Sequence, residues 1–236
     1  MGHHGSNALI SGGTMSKEKI EQNNSKKPRT ASKEVRRQQL IDATIDSIAK
    51  HGISGTTMTT VTRTAGLSIG LANFHFSTKQ NLFEETLRFL AEEHHQQWKK
   101  SYEKANLAPE DKLLAIVAAH FHPKICNRKK IAVWYGFFGE AGARASYRKL
   151  ADDIDTERRD ITAELCRKII EDGGYDTVDA TDVTLILESI YDGFWLNILM
   201  YPGEFSLADA KRQIENYLAQ VFPRHFQYSA PPSSTG

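Results

Sequence analysis

The chain has 236 residues, 40% of them hydrophobic, and a formal net charge of +1. That length can bury one large core or two smaller ones, and no apolar run approaches the roughly 18 residues of a membrane span. Residues 16–82 carry 11 − 5 = +6 while residues 83–236 carry 19 − 24 = −5, which suggests a basic head for a polyanion on an acidic body with another task.

Residues 1–13, MGHHGSNALISGG, read as an expression tag and linker, and residues 16–31 as a disordered basic leader or an arm that follows a phosphate backbone. From Ser32 to Lys50, Val35, Leu40, Ile41, Ile45 and Ile48 recur at helical spacing, with Ser32 as N-cap and Gly52 just past the end. A short helix is expected over Thr57–Thr64 and another from Ile69 to about Phe74, capped by Ser68. Ser77 or Thr78 can cap a longer fourth helix reaching roughly Lys104.

Two short helices joined by a tight glycine-containing turn form a helix-turn-helix, whose second helix enters the DNA major groove. A helix this short is unstable alone, so its neighbours must hold it. Leu67, Leu71 and Phe74 are the expected apolar anchor, which leaves Ser68, Ile69, Asn73 and His75 facing outward. An ordinary helical corner without a DNA role has the same spacing.

Ala65-Gly66-Leu67-Ser68-x-Gly70, followed by Phe74-His75-Phe76-x-x-Lys79-x-x-Leu82, resembles the signature of the TetR family of bacterial regulators over residues 33–83. The resemblance implies a short reading helix and a lysine, here Lys79, that holds a phosphate together with the amides of the next helix. On this basis Lys33, Arg36, Thr57, Thr59 and Lys79 are candidates for phosphate positioning, and Ser68, Ile69, Leu71 and Asn73 for contacts nearer the bases, with His75 a further DNA-binding candidate. Ala72 and Asn73 stand where many members have leucine and tyrosine, so a tyrosine–phosphate contact is lost. The Asn73 amide, which both donates and accepts, can contact phosphate or a base.

The remainder reads as helices at about Pro109–His122, Lys129–Ala145, Ala145–Glu171, Ala180–Leu199 and Ser206–Val221, with Gly173-Gly174 and Tyr201-Pro202-Gly203 as breaks. The expected fold is all-α, with a DNA-binding domain over 32–78, a ligand-binding and dimerisation domain over 79–222, and a disordered tail over 223–236. In the TetR family the last two helices pair with their copies in a four-helix bundle, which implies a homodimer on a palindromic site.

Trp134, Tyr135, Phe138, Tyr191 and Trp195 make two aromatic stripes, with Asp192 beside the second. Aromatic faces near a carboxylate suit a quaternary ammonium group, although stripes at this spacing also suit a plain core. KIAVWYGFFGEA and Asp192-Gly193-Phe194-Trp195-Leu196 resemble the BetI-like branch of the family, the choline-responsive repressors of glycine betaine synthesis. That implies double-stranded operator DNA and a choline-like effector as partners. The six side chains are the expected cage on their own chemistry, since the resemblance does not say which aromatics form it. DGFWL is equally compatible with a packing motif at the dimer interface.

Other classes fit less well. A related repressor that senses an unrelated apolar ligand, and a helical protein-interaction domain without DNA affinity, are the alternatives. An enzyme would need a nucleophile with a base, or a metal. His94-His95 and His120-x-His122 diverge on a helix and are not natural chelates. Cys126 and Cys166 form no CxxC or metal pattern, so no metal, no cofactor and a reduced cytoplasmic setting are expected.

Overall fold

The computed structural model describes residues 32–104, 107–141 and 145–230. The expected leader and the last six residues lie outside them. From Lys33 onward the chain forms one compact unit, built of helices α1 (Lys33–Gly55), α2 (Met58–Ala65), α3 (Ile69–His75), α4 (Lys79–Tyr102), α5 (Pro109–His120), α6 (Arg128–Ala141), α7 (Ala145–Gly173), α8 (Ala180–Met200) and α9 (Leu207–Val221).

The first helix buries Leu40, Ile41, Ile45 and Ile48 along one face. It does not stop at Gly52 as the sequence suggests. Gly52 takes φ 71°, a left-handed conformation open to glycine, and a further turn follows to Gly55. Thr57 caps α2 and exchanges bonds with Thr60 in a capping box, while Gly66, at φ 65°, closes its far end. Ser68 Oγ accepts from the Leu71 amide at 3.2 Å, and Thr78 Oγ1 accepts from the Asn81 amide at 3.0 Å. Short polar side chains thus satisfy the amides at the starts of α2, α3 and α4.

The pedestal under α3 differs from expectation. Phe74, expected as an anchor, is 70% exposed, whereas Ala72 and Phe76 are buried. In a helix of seven residues the apolar positions allow two phases, and the one that buries the small Ala72 lets α3 lie close to its support.

The long helix α4 carries buried side chains from Leu82 to Trp98. Gly136 lets α6 pass close to α1, because a Cβ there would stand 3.2 Å from Ile53 Cγ1. Residues 223–230 are not the loose tail the sequence suggests. Phe226 is buried, and Asn216 exchanges two hydrogen bonds with the backbone of Ser229, at 2.8 and 2.9 Å.

Helix α8 has the length and mean hydropathy, 1.3, of a membrane span, which a search for unbroken apolar runs misses because Asp182, Glu188 and Asp192 interrupt it. Its Leu187, Tyr191 and Trp195 turn into the core, while Leu185, Ile186, Leu196 and Met200 stay exposed.

Candidate functional site

Two regions carry chemistry. On α2 and α3, Thr57, Thr59, Ser68, Ile69 and Asn73 are exposed, with Lys33 nearby at the start of α1. Phe74 joins this face, and the Lys33 ammonium lies 5.8 Å from its ring centroid. Sequence reading spent Phe74 on the core, so its outward position was missed. Leu71 and His75, also expected on this face, are half-buried. Arg36 donates to Gln39 at 2.9 Å. Lys79 is half-buried, donates to the Ile53 carbonyl at 3.4 Å and sits 4.9 Å from the Phe83 ring centroid. The outer face of α3 is therefore short, open and apolar at Ile69 and Phe74, with polar groups from Ser68 and Asn73.

The second region is a cavity of about 320 Å³, open to solvent on one side and lined by residues of α4 to α8. Phe137, Phe138, Tyr147 and Tyr191 supply aromatic walls, and Leu87 of α4 and His120 of α5 complete the lining. Four carboxylates (Asp152, Asp155, Glu188, Asp192) and three guanidinium groups (Arg148, Arg158, Arg159) also line it, so the formal sum is 3 − 4 = −1. Arg158 is buried and bonded to Glu188 through both nitrogens, at 2.6 and 2.8 Å, and to Asp155 at 3.0 Å. Burial opposes its charge, but Glu188 and Asp155 outweigh that and raise its pKa. Burial also raises the pKa of Glu188 and Asp192, against the pull of Arg158.

Behind the wall, His94 Nε2 and His120 Nδ1 lie 3.1 Å apart. Burial, aided by Arg158, lowers His94 to about 3, and burial lowers His120 as well. Both imidazoles are neutral at neutral pH. His120 stacks on Tyr191 at 4.3 Å and on Trp195 at 4.6 Å between ring centroids.

Of the six side chains expected to form the cage, Phe138, Tyr191 and Asp192 line the cavity. Trp195 is not in the lining and backs His120 instead. The Tyr135 hydroxyl donates to the Asp192 carbonyl at 2.6 Å. Trp134 is a core residue, buried against Phe138 at 5.8 Å. Sequence reading missed Phe137, Tyr147 and His120, and the ionic ledge of Arg158 with Glu188. Their partners lie on other helices, so no local spacing marks them.

Among the described residues no group of three His, Cys, Asp or Glu side chains could hold a metal. Burial pushes the Cys126 and Cys166 thiols up to about 12 and about 11, which leaves them poor nucleophiles.

The comparisons with known proteins bear on both regions. A family model described as bacterial regulatory proteins, tetR family, matches residues 40–86. One described as BetI-type transcriptional repressor, C-terminal, matches residues 109–223. An HTH-type transcriptional regulator BetI from Burkholderia thailandensis is 28% identical over 191 residues, which cover 81% of this chain and 95% of that protein. A solved transcriptional regulator from Pseudomonas aeruginosa PAO1 matches with TM-score 0.73 and 24% identity, covering 84% of this chain and 96% of that one. A regulator from Saccharomonospora viridis, solved in complex with choline, matches with TM-score 0.67 and 17% identity, covering 78% and 97%. At these identities the two structures speak to the fold alone.

Proposed function

Because the chain belongs to the TetR family of bacterial regulatory proteins, with a carboxyl-terminal half of BetI type, we propose that it is a repressor acting as a homodimer on palindromic operator DNA and answering to a choline-like quaternary amine. Residues 32–78 form the reading head and 79–222 the sensing and dimerisation body. Such a protein is a transcriptional regulator and not an enzyme, and its place of action is the cytoplasm.

The observation that carries the ligand reading is the cavity itself: aromatic walls around a formal charge of −1. A quaternary ammonium donates no hydrogen bond, so charge and ring faces must hold it, each ring adding about 0.5–2 kcal/mol. The Saccharomonospora viridis regulator solved in complex with choline has the same fold.

For dimerisation, the exposed stripe of Leu185, Ile186, Leu196 and Met200 on α8 supports pairing with a second copy. Two reading helices on one duplex then need a fixed spacing, near one helical turn of DNA. Leu87 in the cavity lining and Lys79 beside α3 belong to the same helix α4, about 12 Å apart along its axis. Ligand bound against Leu87 shifts α4 and with it the spacing of the heads. It can do so only if it binds the two spacings with unequal affinity.

Calorimetric titration of choline tests the ligand reading. Choline is expected to bind the wild type, and Phe138→Ala or Asp192→Asn to weaken binding by about tenfold each. Absence of choline binding to the wild type would remove the effector assignment.

A further inference from the structure

The inner wall of the cavity holds polar atoms that the protein itself does not satisfy. His120 is 5% exposed and Tyr191 1% exposed, both line the cavity, and neither His120 Nε2 nor Tyr191 Oη has a hydrogen-bond partner. Buried polar groups in native folds are nearly always paired, so two orphans on neighbouring stacked rings call for an explanation. The rings are held in place. His120 Nδ1 is tied to His94 Nε2, and the Trp195 ring stacks on the imidazole with centroids 4.6 Å apart.

The kind of partner follows from what these atoms offer. With Nδ1 engaged, a neutral imidazole presents either an N–H or a lone pair at Nε2, and a phenol can donate or accept. A hydroxyl suits both, because it donates one bond and accepts others. A carboxylate only accepts, and it would add a negative charge beside Glu188 and Asp192 in a cavity whose formal sum is already −1. A purely alkyl cation would leave both atoms unpaired and cut off from water.

We propose that His120 and Tyr191 form an inner polar pole that binds a hydroxyl of the ligand, so that the cavity selects a hydroxyl-bearing quaternary amine over its alkyl counterpart. The pole deepens the choline-type reading and rests on it. The aromatic walls and carboxylates take the cationic end, and the pole sets which cation is preferred.

The test is calorimetric titration of the full chain with choline, with propyltrimethylammonium (the same cation with a methyl in place of the hydroxyl) and with glycine betaine. Choline is expected to bind about ten- to hundredfold more tightly than the propyl cation, the range of one or two net hydrogen bonds, with glycine betaine weakest. Tyr191→Phe should lower choline affinity by about tenfold and leave that of the propyl cation unchanged or better. Its melting temperature should not fall, because the missing hydroxyl has no partner in the fold. His120→Phe, which keeps a ring for stacking, should narrow the choline preference in the same way.

If choline and the propyl cation bind the wild type equally, the cavity reading stands and the polar pole is wrong. If glycine betaine binds best, the hydroxyl assignment is overturned. If none of the three binds, the choline-type reading falls and the pole with it.

Discussion

Replacing Arg158 by methionine removes the charged centre of the cavity wall, and the structure gives the size of the effect. The guanidinium is 4% exposed and bonds both oxygens of Glu188 and one of Asp155. Without it Glu188, only 18% exposed, keeps its desolvation without a counter-charge. Removing one partner of such a pair costs about 3–5 kcal/mol, whereas replacing both by apolar groups is often neutral. For a domain of this size each kcal/mol moves the melting temperature by about 2–4 °C. Arg158→Met should therefore melt about 6–20 °C lower, and Arg158→Met with Glu188→Leu should recover most of the loss. The double variant removes one positive and one negative group, so the formal charge of the cavity stays at −1 and choline affinity should largely survive. Calorimetric melting of the wild type, both singles and the double reads the cycle directly. A single variant that melts within about 2 °C of the wild type, or a double that loses the sum of the two singles, would show that Arg158 and Glu188 are not a coupled buried pair.

Other consequences are equally direct. His94 is held at about 3 in the folded chain against 6.5 for an unperturbed imidazole, so between these values the unfolded chain binds more protons. Its contribution to stability is complete above pH 6.5 and is lost as pH falls through that window. The loss from His94 alone is about 2 kcal/mol between pH 7 and pH 5, and His120 acts in the same direction. Urea unfolding at pH 7, 6 and 5 checks this, and a flat profile would contradict it. Ser68→Ala removes the cap of α3 and should cost about 1 kcal/mol, with a larger loss in DNA affinity than in stability, read by anisotropy and melting together. Phe74→Ala, at an exposed position, should leave the melting temperature unchanged and weaken DNA binding.

Much of the architecture was legible because it rests on local chemistry. Ser68, Thr78 and Ser206 cap helices through their own hydroxyls, and Gly66 ends α2 in a left-handed turn. Such signals need only a few consecutive residues. The phase of α3 was not legible, because seven residues leave the choice between Phe74 and Ala72 with Phe76 to the surface beneath. The cavity divided in the same way. Phe138, Tyr191 and Asp192 stand out as unusual residues on their own helices. Arg158 with Glu188, thirty positions apart, and His94 with His120, twenty-six apart, become pairs only when α7 meets α8 and α4 meets α5.

The proposed function centres on a short braced helix that reads DNA under the control of a cationic ligand in the body. The most direct measurement is fluorescence anisotropy on a duplex selected by the protein from a random pool, at several salt concentrations, with and without saturating choline. Expected are an inverted-repeat site, affinity that falls steeply with salt as phosphate contacts release counterions, and a choline-dependent change of about 5- to 150-fold. Selection of no common sequence, or an affinity indifferent to choline in a protein that demonstrably binds it, would contradict the account.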